Sequence, residues 1–367
     1  MKQLFLVLFY LTVLSFSGCN DSTNPADNQI FMRKNVKYLT STEKKDLVDA
    51  IIKLKNTPSP KDHSLSWYDH FVLIHREAFI CDESNPAHLH NGYPAHMSPS
   101  FLPWHRAFLI EYENALRKVS GKKIVLPYWD WTDEESAAAV FSDDLMGGNG
   151  DPNDFYALKT GAFKKGSWKI VILEDTTDDP FQWTHIVRAL GTNPTGIALP
   201  TKANILEMMN ITRYDLPPYS NMCNPSQSFR NYIEGFRNSK FTPCRNGDMD
   251  VTDDNWADST NSDGISSAMH NAVHVWVGGV FFVDGVPASG TMSMSVSPND
   301  PLFFLHHANI DRLWSMWMNK NGKIYEPVTG GPLNSNLKDI MPPFNVSPEN
   351  LLDSKKNGYY YQEEDYK

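Results

Sequence analysis

The placement of the histidines constrains this chain more than any other feature. Pro94 to Arg117, PAHMSPSFLPWHRAFLIEYENALR, carries His96 and His105 nine residues apart, separated by a Pro-containing loop. The second His opens an amphipathic run in which Phe108, Leu109, Tyr112, Leu116 and Val119 recur at helical spacing. Pro103 stands where that helix begins, and its missing N–H costs nothing there. A loop His and a helix-start His can converge on one metal ion. Upstream, WYDHFVLIHREAF also reads as a helix and offers His75 as a third ligand, with His70 on a different face. From spacing alone, His88, His90 and His96 are equivalent loop candidates.

The second concentration of chemistry is Met269 to Gly279, MHNAVHVWVGG. His270 and His274, four apart, lie on one helical face at the spacing metal sites use. Ser297 to Trp317, SPNDPLFFLHHANIDRLWSMW, closes the set with a helix capped by Asp300 and opened by Pro301. His306 and His307 are adjacent, about 100° apart on that helix, so only one aims at a given metal and periodicity does not choose between them. The histidines thus suggest two sets of three. No Cys but Cys81 lies near them, and no Glu-x-x-His pair of a di-iron carboxylate bundle is present. All-imidazole ligation without bridging carboxylates favours redox copper, with hydrolytic zinc second.

HMSPSFLPWHRAFL with the upstream FVLIH, then HNAVHVWVGG and SPNDPLFFLHHANIDRLW, resemble the two copper motifs of the tyrosinase family, the type-3 copper proteins. The resemblance runs from about residue 36 to 320 and is nearest to the bacterial members, since Pro94 stands where other relatives carry a cross-linked Cys. It implies a mainly α fold, an antiparallel four-helix bundle holding a dicopper centre, wrapped by long loops and a few short strands. It implies two copper ions, one on His75, His96 and His105, the other on His270, His274 and His307. It implies oxidation of phenols by O2, by o-hydroxylation of monophenols and conversion of o-diphenols to o-quinones. Glu234, in FRNYIEGF, and Asn271 match the family pair that holds a water as general base for monophenols. The alternatives are a catechol oxidase or o-aminophenol oxidase lacking the monophenol step, and an O2 carrier of haemocyanin type. Val275 and Met294 are placed to line or narrow the entrance.

The rest of the chain sets the context. Lys2, the apolar run Leu4–Phe16 and Ser17-Gly18-Cys19 read as a lipoprotein-type signal over residues 1–18, exporting the protein and leaving a lipid on Cys19 as its only hold on a membrane. Residues 19–35 read as a tether, 36–345 as the copper domain, and 346–367 as a polar, Tyr-rich tail. Ser41 or Thr42 is expected to cap a scaffold helix with Leu47, Ala50, Ile51 and Leu54 on its buried stripe. Trp183–Leu190 reads as a short helix, and residues 245–264, with six Asp, as a solvated loop. Cys223 and Cys244 are close enough in sequence to close a local loop. The net charge of −10 argues against nucleic acid or an anionic membrane surface as partner. The partners expected are a phenolic small molecule and O2, and no motif identifies a copper-delivery partner.

Overall fold

The computed structural model describes residues 30–79, 95–174, 181–194, 196–217, 219, 225–234 and 269–362. Cys19, His88, His90, the remaining cysteines and the acidic stretch 245–264 lie outside them. The described residues are mainly helical. In chain order the helices are α1 (Ser41–Lys55), α2 (Trp67–Phe79), α3 (Phe101–Ser120), α4 (Glu134–Val140), α5 (Lys202–Met209), α6 (Phe229–Glu234), α7 (Met269–Gly278) and α8 (Leu302–Asn321). Helices α2, α3, α7 and α8 carry the described candidate histidines other than His96 and form the expected four-helix bundle, with α1 packed on α2 and α3.

Local chemistry explains the helix ends. α1 buries Leu47, Ala50, Ile51 and Leu54, as its spacing predicts. Its cap is Thr40, one residue ahead of the expected Ser41. The Thr40 hydroxyl accepts the Glu43 N–H at 3.2 Å, and the Glu43 carboxylate accepts the Thr40 N–H at 2.9 Å. Only Thr40 has a Glu three residues on; Ser41 and Thr42 would face lysines. α3 stops at Gly121, whose φ of 70° suits a residue without a Cβ. Before α8, the Asp300 carboxylate accepts the Leu302 N–H at 3.0 Å while holding Arg188 through two bonds of 2.6 Å.

One expected helix is absent. Trp183–Leu190 is extended rather than helical. Its backbone serves the short hairpin of β2 (Gly150–Asp151) and β3 (Ala157–Leu158), with the Leu158 N–H bonded to the Ile186 carbonyl at 2.9 Å and the Gly150 N–H to that of Arg188 at 2.9 Å. Val187 and Ala189 then pack on β4 (Val280–Val283) and β5 (Val286–Ser289). Residues near the two ends of the described chain pair with each other. β1 (Phe31–Arg33) pairs in parallel with β6 (Tyr359–Tyr361). Tyr359 and Tyr361, two apart and so on one face of the strand, are each 1% exposed and close over the buried Arg33. No helix among the described residues is long and apolar enough to cross a membrane.

Candidate metal centre

Seven imidazoles gather at the middle of the bundle. His75 comes from α2, His96 from the loop before α3, and His105 from the first turns of α3. Their ligand atoms lie within 4.8 Å of one another. His270 and His274 from α7, with His306 and His307 from α8, form a second group under the same limit. All seven are buried.

The hydrogen bonds sort the ring nitrogens. Nδ1 of His75 bonds the Ser295 carbonyl at 2.7 Å, that of His105 the Phe101 carbonyl at 2.8 Å, and that of His274 the Met292 carbonyl at 2.6 Å. Nδ1 of His270 bonds the Asn271 amide oxygen at 2.8 Å. Each acceptor fixes the proton on Nδ1 and leaves Nε2 as the lone-pair atom, the arrangement metal-bound histidines require. The Nε2 atoms of His105 and His270 have no hydrogen-bond partner despite their burial. Such atoms are costly unless a ligand satisfies them. Burial, and next to it neighbouring imidazoles, hold the rings neutral. His75 is pushed down to about 3 and His274, by burial alone, to about 4. Neutral imidazole is the ligand form, so the donor set fits two soft-to-borderline metal ions.

His306 and His307 differ in surroundings. The His307 ring stacks on His105 of the first group, centroids 4.3 Å apart and planes 15° apart, and its Nε2 is 3.4 Å from that of His274. It therefore touches both groups. His306 stacks on His270 at 5.5 Å and lies 5.2 Å from Trp131, and neither of its ring nitrogens has a hydrogen-bond partner.

A small cavity of about 40 Å³ opens over the histidines. His75, His96, His270 and His274 line it together with Asn271, Val275 and Met294. Glu234 lies behind this wall, 1% exposed. Its carboxylate accepts the Met97 N–H, next to His96, and the Arg230 guanidinium at 3.3 Å, while its main-chain carbonyl accepts the Asn271 amide at 3.0 Å. Burial pushes its carboxyl up to about 8, against the pull of Arg230 and the Met97 N–H. The structure thus brings Glu234 and Asn271 together, through the Glu234 backbone. Arg230 and its partner Asp215 were not singled out from the sequence, although an Arg four residues before a Glu on a helix is a readable pair.

Comparison with known proteins agrees with this geometry. The sequence model of the common central domain of tyrosinase matches residues 65–320. A tyrosinase of Streptomyces lincolnensis is 34% identical over 334 residues, 90% of this chain and 97% of its own length. A tyrosinase of Streptomyces galbus is 35% identical over 328 residues, 88% and 96% of the two chains. Grixazone synthase of Streptomyces griseus is 31% identical over 354 residues, 91% and 100%. Among solved structures, a polyphenol oxidase of Thermothelomyces thermophila superposes with a TM-score of 0.61 at 19% identity, covering 91% and 89%. A functional unit of octopus hemocyanin gives 0.50 at 20%, covering 92% and 69%, a likeness of fold.

Proposed function

This chain belongs to the tyrosinase family, and we propose how its residues share the copper-dependent oxidation of phenols that it catalyses at a dinuclear site. His75, His96 and His105 hold one copper. His270, His274 and His307 hold the other. The contact of His307 with both imidazole groups supports it over His306 as the sixth ligand. The observation that carries the reading is the pattern of Nδ1 anchors, which aims the Nε2 atoms of four histidines on three helices, α2, α3 and α7, at one buried centre. Bound there, the two coppers supply two-electron exchange with O2.

The protein supplies access, exclusion and a base. Val275 and Met294 form an apolar wall to the cavity, so a flat aromatic ring is favoured and bulk water is not. For a monophenol the phenolic proton must leave first, from a group whose ordinary pKa is near 10. Glu234, pushed up to about 8, is the proton acceptor, acting through a water shared with Asn271. The Asn271 oxygen has two lone pairs, so its bond to His270 leaves one for that water. Both o-hydroxylation and o-diphenol oxidation follow, the first depending on Glu234 and the second not. The test is oxygen uptake by copper-loaded protein with a monophenol and its o-diphenol. Glu234→Gln should lower the monophenol rate by about 10² or more, the contribution of a positioned base, and spare the diphenol rate. Equal retention of both rates would remove Glu234 from the chemistry.

Export and tethering through Cys19 form part of the same proposal, supported by Lys2, the apolar run Leu4–Phe16 and Ser17-Gly18-Cys19. Cys19→Ser should move the protein from the membrane fraction to the soluble one. If it stays with the membrane, the tether is wrong.

A further inference from the structure

Arg230 stands between two buried carboxylates. Its Nε and Nη2 bond the Asp215 carboxylate at 2.9 and 2.8 Å, while its Nη1 reaches Glu234 at 3.3 Å and the Asn231 amide oxygen at 3.2 Å. All three ionisable side chains are 1% exposed or less. One guanidinium cannot neutralise two carboxylates, and an uncompensated buried charge is too costly to keep. The proton must therefore sit on the acid that is held less well. Asp215 has two short bonds to Arg230, the Ser228 hydroxyl at 2.8 Å and the Leu216 N–H at 2.9 Å. Glu234 has one long bond to Arg230 and the Met97 N–H.

We propose that Asp215 is a positioning residue for the monophenol step, drawing the Arg230 charge away from Glu234 so that Glu234 can take up and release a proton. The proposal rests on Glu234 as the proton acceptor. Asp215 does not line the cavity and acts only through Arg230. With Asp215 neutral, the Arg230 charge falls to Glu234 among the described carboxylates, and Glu234 stays ionised, a weaker base. With the guanidinium fork broken, Glu234 loses its cation and holds its proton to higher pH. Among the described residues, the other groups facing Glu234 do not compete for its charge. α7 presents the neutral Asn271, the loop before α3 presents the Met97 N–H, and the Tyr214 hydroxyl, bonded to the Pro99 carbonyl, stays protonated by burial. The Glu207 carboxylate of α5 is taken by Tyr232.

The experiment has two readouts on copper-loaded protein. The first is the pH profile of kcat/KM for a monophenol and its o-diphenol. The second is an infrared titration of the protonated carboxyl stretch, assigned to Glu234 by its loss in Glu234→Gln. In Asp215→Asn the acid limb for the monophenol and the infrared midpoint should both move down by about a pH unit or more, the size of an opposite-charge effect. In Arg230→Lys both should move up. The diphenol profile should stay in place in each variant. A structural role alone would lower both activities together without moving either midpoint, and that result overturns the proposal. Should Asp215→Asn not fold, Ser228→Ala removes one donor from Asp215 and should move the midpoint in the same direction by less; an unmoved midpoint there also overturns it. Because the infrared midpoint is read without turnover, it judges the charge sharing even if Glu234→Gln leaves monophenol turnover intact and the proton-acceptor reading falls.

Discussion

Asp311 holds the two ends of the chain to the helix that bears His307, and its removal gives a measurable loss. Its carboxylate, one turn after His307, accepts Arg106 at 2.5 Å, Arg33 at 3.3 Å, and the hydroxyls of Tyr359 and Tyr361 at 2.6 and 2.5 Å. The carboxylate is 3% exposed and both arginines are fully buried. Asp311→Asn keeps the shape and removes the charge, leaving Glu113 as the partner of Arg33 and Arg106 without its carboxylate. Breaking a buried pair in this way costs about 3–5 kcal/mol. Unfolding entropy near 2.1 cal/mol/K per residue, over the roughly 270 described residues, gives about 0.6 kcal/mol/K, so about 4 kcal/mol lowers Tm by about 7 °C. The assay is thermal and urea unfolding of the copper-free protein, where metal binding does not mask the loss. Arginine pairing holds the Asp311 carboxyl below its ordinary value despite burial. A depressed carboxyl stabilises above its unfolded pKa, near 3.9, and the stabilisation is lost as pH falls through the folded value. The gap between native and variant should therefore be full at neutral pH and close only in strong acid. A loss below about 1 kcal/mol, or a gap that closes near pH 6, would refute this account of the terminal clasp.

Three further outcomes are expected. His307→Ala should bind one copper per chain where the native protein binds two, by metal analysis after dialysis, whereas His306→Ala should retain two; the reverse would exchange their roles. Asn271→Ala removes the acceptor that orients His270, and should weaken copper at the second site by about 10–100-fold in chelator competition while the first site is unchanged. Glu174→Ala frees the Ser295 N–H and hydroxyl, which Glu174 holds at 2.7 Å each, and so loosens the carbonyl that anchors His75. It should weaken the first site by a similar factor, and an unchanged affinity there would show that the carbonyl is held by other means.

The histidine-rich segments were legible because metal chemistry needs a rare residue type at fixed spacings, although spacing alone chose neither among His88, His90 and His96 nor between His306 and His307. The helices were legible because each buries a continuous apolar stripe, as the scaffold helix α1 and the His105-bearing α3 do. What escaped depends on partners distant in sequence. The three residues of β1 have no periodicity to read, and they become a strand only against Tyr359–Tyr361. Tyr359 and Tyr361 look like a polar tail until Arg33 and Asp311 are placed beneath them. Trp183–Leu190 has helix-compatible composition, and tertiary hydrogen bonds to β2 and β3 override it. His306 and His307 cannot be told apart by period, since 100° of helix separates neighbours; the stacking of His307 on His105 needs the other helix in place. Asp215 and Arg230 were missed because a loop carboxylate gains meaning only from what it is buried against.

The same geometry explains why a site of two motifs behaves as one. The sequence divides the candidate ligands into halves roughly 165 residues apart, and although His105, His270 and His274 are anchored within their own halves, His75 is not. His75 of the first half is anchored by the Ser295 carbonyl, which lies between the two helices of the second. Met97, beside His96, donates to Glu234, and Glu234 in turn accepts Asn271, which orients His270. His307 of the second half lies flat on His105 of the first. Folding therefore fixes the tautomer of His75 through a bond that crosses between the halves, and ties the surroundings of His96 and His270 together through Glu234. Burial keeps those rings neutral before any metal arrives. Copper then meets donors that need no proton removed and little reordering, so most of the entropic cost of building the centre falls on the folding of the whole bundle.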